Sequence, residues 1–234
     1  MKRRQTPVVC VGLLLIFLAT APVYGQRGTI GVDVGQTADR FGALSRNTGV
    51  EGIIDGEVLV LPTKDTERGA DVIAGGEIRL PSDTANHAKE FALYGGTAFR
   101  FGKGFSAGFH IQIHKIDLPP SGTVFFNHDS MELLELPGFL EYKFGPSRHA
   151  FVKAEGGREF SPRLHTSSAG ANPLPNPHLD YGYTLRGSAG YVLGKWYVKA
   201  TYESRYFKFR PIGNPEGLYN WRSDMVTGGV GFAF

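Results

Sequence analysis

Apolar and polar side chains take turns along most of this chain, the period-two signature of strands with two unlike faces. Ten runs carry it: residues 28–36, 50–61, 69–80, 90–101, 104–115, 131–144, 149–160, 180–193, 195–208 and 222–234. Most are longer than a soluble strand and suit a tilted strand crossing a hydrocarbon layer. The connections alternate as well. From the second run onward the short ones are "PTKDTERG", "GKG", "GPSR" and "LGK", and the long ones are 37–49, 81–89, 116–130, 161–179 and 209–221. The longest, "SPRLHTSSAGANPLPNPHL", carries four prolines and is expected to hold no strand. Short turns at one end and long loops at the other predict an all-β, up-and-down antiparallel transmembrane barrel. With both termini on the short-turn side the strand number is even. Ten satisfies this, with eight as the alternative.

Parity divides each strand into two faces. In 104–115 one face reads Phe105, Ala107, Phe109, Ile111 and Ile113; the other reads Ser106, Gly108, His110, Gln112 and His114. In 195–208 Trp196, Val198, Ala200, Tyr202 and Tyr206 oppose Lys199, Thr201, Glu203 and Arg205. A soluble barrel has the same alternation with its apolar face inward. Aromatic positions decide between the two. Phe99, Phe101, Phe105, Tyr142, Phe144, Tyr191, Trp196, Phe232 and Phe234 collect at the short-turn ends of the apolar face. Phe91, Phe160, Tyr181, Tyr183, Tyr202 and Tyr206 lie toward its loop ends. Two aromatic girdles flanking an aliphatic band match two lipid–water interfaces. The polar face mixes charges with glycine and serine, as a crowded lumen requires.

Composition agrees. Thirty-two glycines and fourteen prolines argue against a helical protein. The start, "MKRRQTPVVCVGLLLIFLATAPVYGQ", has a basic end, an apolar run too short to be a comfortable membrane helix, and small residues before Gln26. This pattern predicts a secretory signal over 1–25, cleaved near Gly25, ahead of a barrel domain over 26–234. Losing Lys2, Arg3 and Arg4 removes the whole formal excess of +3, so the remainder is neutral and a nucleic-acid partner loses its support. The single cysteine, Cys10, lies within that signal, which predicts neither a disulfide nor a lipid anchor.

The signal, the alternating strands from 28 to 234 and the terminal "VTGGVGFAF" together resemble the small bacterial outer-membrane β-barrels of the OmpA, OmpX and OmpW type. Those proteins typically end in an aromatic preceded by apolar residues at alternate positions, here Phe234, Phe232, Val230 and Val226. The resemblance implies an outer-membrane location, lipids as neighbours, and reading of the last strand by the barrel-assembly machinery. It departs from the eight-stranded members in strand number. It carries over no function.

The inner face holds the candidate chemistry. Its acids are Asp33, Glu51, Asp55, Glu57, Asp71, Glu77, Glu90, Glu135, Glu141, Glu155, Glu159 and Glu203; its bases are Arg79, Arg100, Lys143, Lys153, Arg186, Lys199 and Arg205, with His110 and His114. Charges in a narrow lumen must pair, be wetted or change protonation. The first expectation is an ion-pair network that plugs and stiffens a barrel of structural or interactive role. The second is a narrow, cation-preferring path whose selectivity comes from the acid excess. His110 and His114 share a face about 13 Å apart along one strand, too far to hold one metal ion without partners from elsewhere. The third expectation is a surface hydrolase using His128, Asp129, Ser130, His165 and Ser167 from two long loops. No phosphate cradle, metal-spaced Cys/His pattern or nucleotide fingerprint is present, so no cofactor or metal is expected.

Overall fold

The computed structural model describes residues 27–42, 46–61, 68–119, 130–165, 178–210 and 219–234. The expected signal and the loop residues His128, Asp129 and Ser167 lie outside them. Ten strands follow in order: β1 Arg27–Phe41, β2 Asn47–Leu61, β3 Arg68–Pro81, β4 Lys89–Gly102, β5 Phe105–Asp117, β6 Ser130–Phe144, β7 Ala150–His165, β8 His178–Leu193, β9 Trp196–Arg210 and β10 Tyr219–Ala233. Each pairs antiparallel with its sequence neighbours, and β1 pairs with β10 to close the barrel. The strand number is ten, not eight. At the seam the register runs from Thr29 opposite Ala233 to Phe41 opposite Trp221. Gly28 and Phe234 extend it by exchanging backbone hydrogen bonds, at 3.1 and 3.0 Å. Closure leaves no strand edge unpaired.

The tight turns follow from local chemistry. Lys103 and Gly104 both have positive φ, at 52° and 83°. Two left-handed central residues make the hairpin turn whose twist matches that of its strands, and glycine takes the second position without a Cβ clash. Gly194, at φ 66°, fills the first central position of the turn into β9.

Parity sorts the side chains as the alternation predicts over the middle of the barrel. Val32, Val34, Leu93, Phe109, Ile111, Ile113, Leu136, Leu140, Leu185, Val198, Val226 and Val230 point outward and form a belt. Ile113 and Val226 are each 59 % exposed, far more than scattered surface apolar residues would account for. At the short-turn end the rings pair: Phe101 with Phe105 and Tyr142 with Phe144, both at 5.8 Å, and Trp196 edge-on to Phe232 at 5.2 Å. Tyr181 and Tyr183 both meet Tyr206 nearer the loop end.

The strands run further at the loop end than the alternation indicates. β1 continues to Phe41 instead of residue 36, β2 starts at Asn47, β9 ends at Arg210 and β10 starts at Tyr219. The polarity of the two faces inverts there. Outward positions become Arg40, Lys208, Arg210 and Arg222, while inward ones become Phe41, Phe207, Phe209 and Trp221. A reading that follows apolar-outside alternation stops where the sign changes, although the period does not. β7 is a second correction. It continues through Pro162 to His165, in a segment expected to hold no strand. The register slips there, with Phe160 opposite Leu134 but Arg163 opposite Glu132. A bulge of this kind is where a strand tolerates proline.

Candidate functional site

The inner face is filled in three tiers. Near the short turns, Tyr197 occupies space left by glycines: a Cβ on Gly31 would come within 2.6 Å of its hydroxyl. Above it Lys199 from β9 reaches across to Asp33 on β1 at 3.0 Å and Asp55 on β2 at 3.1 Å. On the opposite wall Arg100 pairs with Asp71 at 2.9 Å and Lys153 with Glu155 at 3.1 Å. Tyr94 donates its hydroxyl to Glu57 at 3.2 Å, and Ser106 donates to Glu141 at 3.5 Å. Lys143 meets Glu141 at 3.1 Å but is half exposed, so that pair contributes little.

The middle tier centres on Glu203. Its two oxygens accept from both terminal nitrogens of Arg79, at 2.6 and 2.7 Å, a bidentate bond from β3 to β9 across the lumen. Arg186 donates to the same carboxylate at 2.7 Å, and Arg205 Nε lies 2.9 Å from it. Glu77 takes Arg79 and Arg186, and Glu90 takes Arg205. Arg79, Arg205 and Glu203 are each buried to within 3 % of complete. Strand pairing places the groups and the narrow bore makes them meet. Three guanidiniums and three carboxylates therefore interlock across the bore.

His110 and His114 go separate ways. His110 meets Gln112 at 3.1 Å and lies tilted against Tyr94, with ring centres 4.7 Å apart. His114 Nε2 lies 2.8 Å from Glu135, and Glu159 stands opposite Glu135 in the β6–β7 register. Glu51 is buried on β2 nearer the loops. Of the residues considered for a hydrolase, Ser130 and His165 face each other as a register pair at the ends of β6 and β7.

The top tier is apolar. Phe41, Ala88, Ile116, Leu118, Met131, Leu133, Phe207, Phe209 and Trp221 form one buried cluster. It draws on β1, β5, β6, β9 and β10, and Ala88 joins it from the connection between β3 and β4. Trp221 stacks on Phe207 at 5.0 Å and on Phe41 at 5.6 Å. Sequence reading did not find this tier. Extending the parity of β1 by three inward positions beyond residue 36, and that of β9 and β10 by one at their loop ends, names Phe41, Phe209 and Trp221, while Phe207 already stands on the inner parity of 195–208.

A polar clamp sits at the edge of the cluster. Asp39 accepts from Trp221 Nε1 at 3.2 Å and lies 2.7 Å from His87 Nδ1. His87 belongs to the β3–β4 connection, whose turn is held by Asp83 accepting from Ala85 and Asn86. The bond to Asp39 raises the His87 pKa. A raised folded-state pKa means that the clamp's contribution is fully present below the unfolded value near 6.5 and is lost as pH rises through the folded one. Hydrogen-exchange protection factors within 82–88, with the intrinsic pH dependence of amide exchange divided out, are therefore expected to fall as pH is taken from 6 to 9, and His87→Gln should flatten that dependence. Protection independent of pH in the unaltered protein would refute the clamp.

No family model matches the chain, and no curated protein matches it. Solved structures do, and they are small bacterial outer-membrane β-barrels. Neisserial surface protein A is 13 % identical, with 88 % of this chain and 97 % of that one covered at a TM-score of 0.41. The NanC porin is 11 % identical, with 88 % and 98 % covered at 0.42. The outer membrane protease OmpT of Escherichia coli is 12 % identical, with 89 % and 96 % covered at 0.41.

Proposed function

We propose that this chain, a closed ten-stranded barrel with an apolar outer belt, is an outer-membrane protein whose filled lumen does not conduct and whose role is structural or interactive. Residues 1–25 act as its export signal, and lipids cover the belt. Phe101, Phe105, Tyr142, Phe144, Tyr191, Trp196, Phe232 and Phe234 sit at the inner interface, where amphipathic rings are favoured. The barrel-assembly machinery reads β10 during insertion. The charges from Asp55, Glu57, Asp71, Glu77, Arg79 and Arg100 through Glu135, Glu141, Lys153, Glu155, Arg186, Lys199, Glu203 and Arg205 stiffen the barrel and do not guide a solute. The long loops, on a rigid apolar-capped rim, are the surface offered to partners.

The observation that carries this reading is the apolar cap over an interlocked ionic layer. Trp221, Phe41 and Phe207 are 0–1 % exposed inside a barrel bore, and an ion or solute would have to displace them. A second reading, a narrow path for small cationic or polar solutes, has the acid excess of the inner face in its favour. Planar-bilayer recording with purified barrel decides between them. Silence at moderate voltage is expected. Discrete ohmic steps that shrink on Glu57→Gln would overturn the proposal and establish the path.

A further inference from the structure

Three inward side chains beneath the apolar cap are arranged as a set of ligands. His114 from β5, Glu135 from β6 and Glu159 from β7 each bring one donor atom within 4.8 Å of the other two. All three are at least 97 % buried. Thr184 Oγ1 donates to Glu159 Oε1 at 3.2 Å and fixes that carboxylate from β8. Its other oxygen, Oε2, is buried without a hydrogen-bond partner. A buried carboxylate oxygen with no donor is costly and asks for one. Gly157 also faces the site, and a Cβ there would collide with Glu135 Oε1, so the glycine makes room for that carboxylate.

Charge points the same way. Arg79, Arg186 and Arg205 are taken by Glu77, Glu90 and Glu203. Among the described residues, Glu135 and Glu159 have His114 as their one ion-pair partner, through Glu135. Two carboxylates beside a neutral imidazole in a dry interior carry two negative charges, offset through space by Arg205 and Arg186, which other carboxylates already engage. A divalent cation cancels both.

We propose that His114, Glu135 and Glu159 bind one divalent transition-metal ion of the zinc class, which ties β5, β6 and β7 together below the cap. One imidazole and two carboxylate donors suit zinc, with a water completing four-coordination. Metal–donor distances of about 2.0–2.2 Å put donor atoms roughly 3.3 Å apart, so His114 and Glu135, now hydrogen-bonded at 2.8 Å, exchange that bond for the metal while the Glu159 carboxylate closes in from within 4.8 Å. Thr184 is the outer partner that orients Glu159. His110 is not part of the site, which explains why the pair on β5 looked unsuited to a metal. The missing ligands come from the two following strands. The site stands whether or not the barrel conducts.

The test refolds the full barrel in detergent with zinc, dialyses it against a weak chelator and measures bound metal. One equivalent per chain is expected for the unaltered protein and for His110→Gln. His114→Gln and Glu159→Gln should bind at least tenfold more weakly. Cobalt substituted for zinc should give the intense visible bands of a four-coordinate site, lost in both variants. Heat-dependent gel migration reports whether each variant has closed its barrel. If a variant does not fold, the unaltered protein decides alone through its zinc content and through a denaturation midpoint that climbs with zinc concentration. Well under one equivalent in the folded unaltered protein would overturn the site and leave bound protons and the neighbouring guanidiniums to balance its charge. Undiminished binding in both folded variants would overturn it equally.

Discussion

Glu203→Ala is expected to lower the unfolding free energy of the barrel by about 3–5 kcal/mol, the range for breaking a buried ion pair by removing one partner. The mechanism is an uncompensated charge more than a lost attraction. Among the described residues, Glu203 is the one carboxylate engaged by three guanidiniums, those of Arg79, Arg186 and Arg205. It is 2 % exposed, so water cannot replace it without opening the bore. Glu77 and Glu90 would remain, two carboxylates facing three guanidiniums. Glu203→Gln keeps the shape but turns two amide protons toward cationic donors, so it should lie close to the alanine variant. Lys143→Ala, which removes a half-exposed pair, should change stability by less than about 0.5 kcal/mol. Guanidinium unfolding in micelles measures all three. A Glu203→Ala variant within 1 kcal/mol of the unaltered protein, on the scale of an ordinary exposed pair, would show that the ionic layer does not stiffen the barrel.

Trp221→Ala should cost about 3–5 kcal/mol as well, by a different route. The indole is the centre of the cap, 1 % exposed and stacked between Phe41 and Phe207. Truncation leaves a void that strands paired on both sides cannot close by moving together. It also removes the donor to Asp39 and leaves His87 as that carboxylate's side-chain partner. The chain has two tryptophans, and Trp196 is 59 % exposed on the outer belt at the opposite end. Trp196→Phe therefore isolates the fluorescence of Trp221. A blue-shifted emission resistant to aqueous quenchers is expected from that single-tryptophan form. Red, freely quenched emission would mean that the cap stands open.

The fold was legible because a strand's two faces read two solvents. From 104 to 115, Phe105, Phe109 and Ile113 against Ser106, His110 and His114 set both the strand and its orientation. The "GKG" turn followed from its glycines. The candidate site was half legible. Parity put Arg79, Glu203 and Glu135 on the inner face, but no strand states which charge on a distant strand it will meet. Arg79 and Glu203 are 124 residues apart in sequence. The apolar cap is not legible because the alternation assigns apolar residues to the outside throughout. At Phe41, Phe207 and Trp221 that assignment fails, since the strands there pass beyond the belt and the favourable polarity reverses.

By itself the sequence determined the ten alternating strands, the tight turns at 103–104 and 194–195 and the two-sidedness of the wall. These depend on local periodicity and turn chemistry, which near neighbours in the chain settle. The first connection, expected to be long, shrinks to 42–46 because β1 and β2 extend into it. Tertiary structure alone decided what fills the bore: which guanidinium meets Glu203, that His114 joins Glu135 and Glu159 and not His110, and that four aromatic rings cap the top. Those contacts depend on register and closure. Once β1 meets β10 the bore has a fixed width, and side chains from strands far apart in sequence must share it.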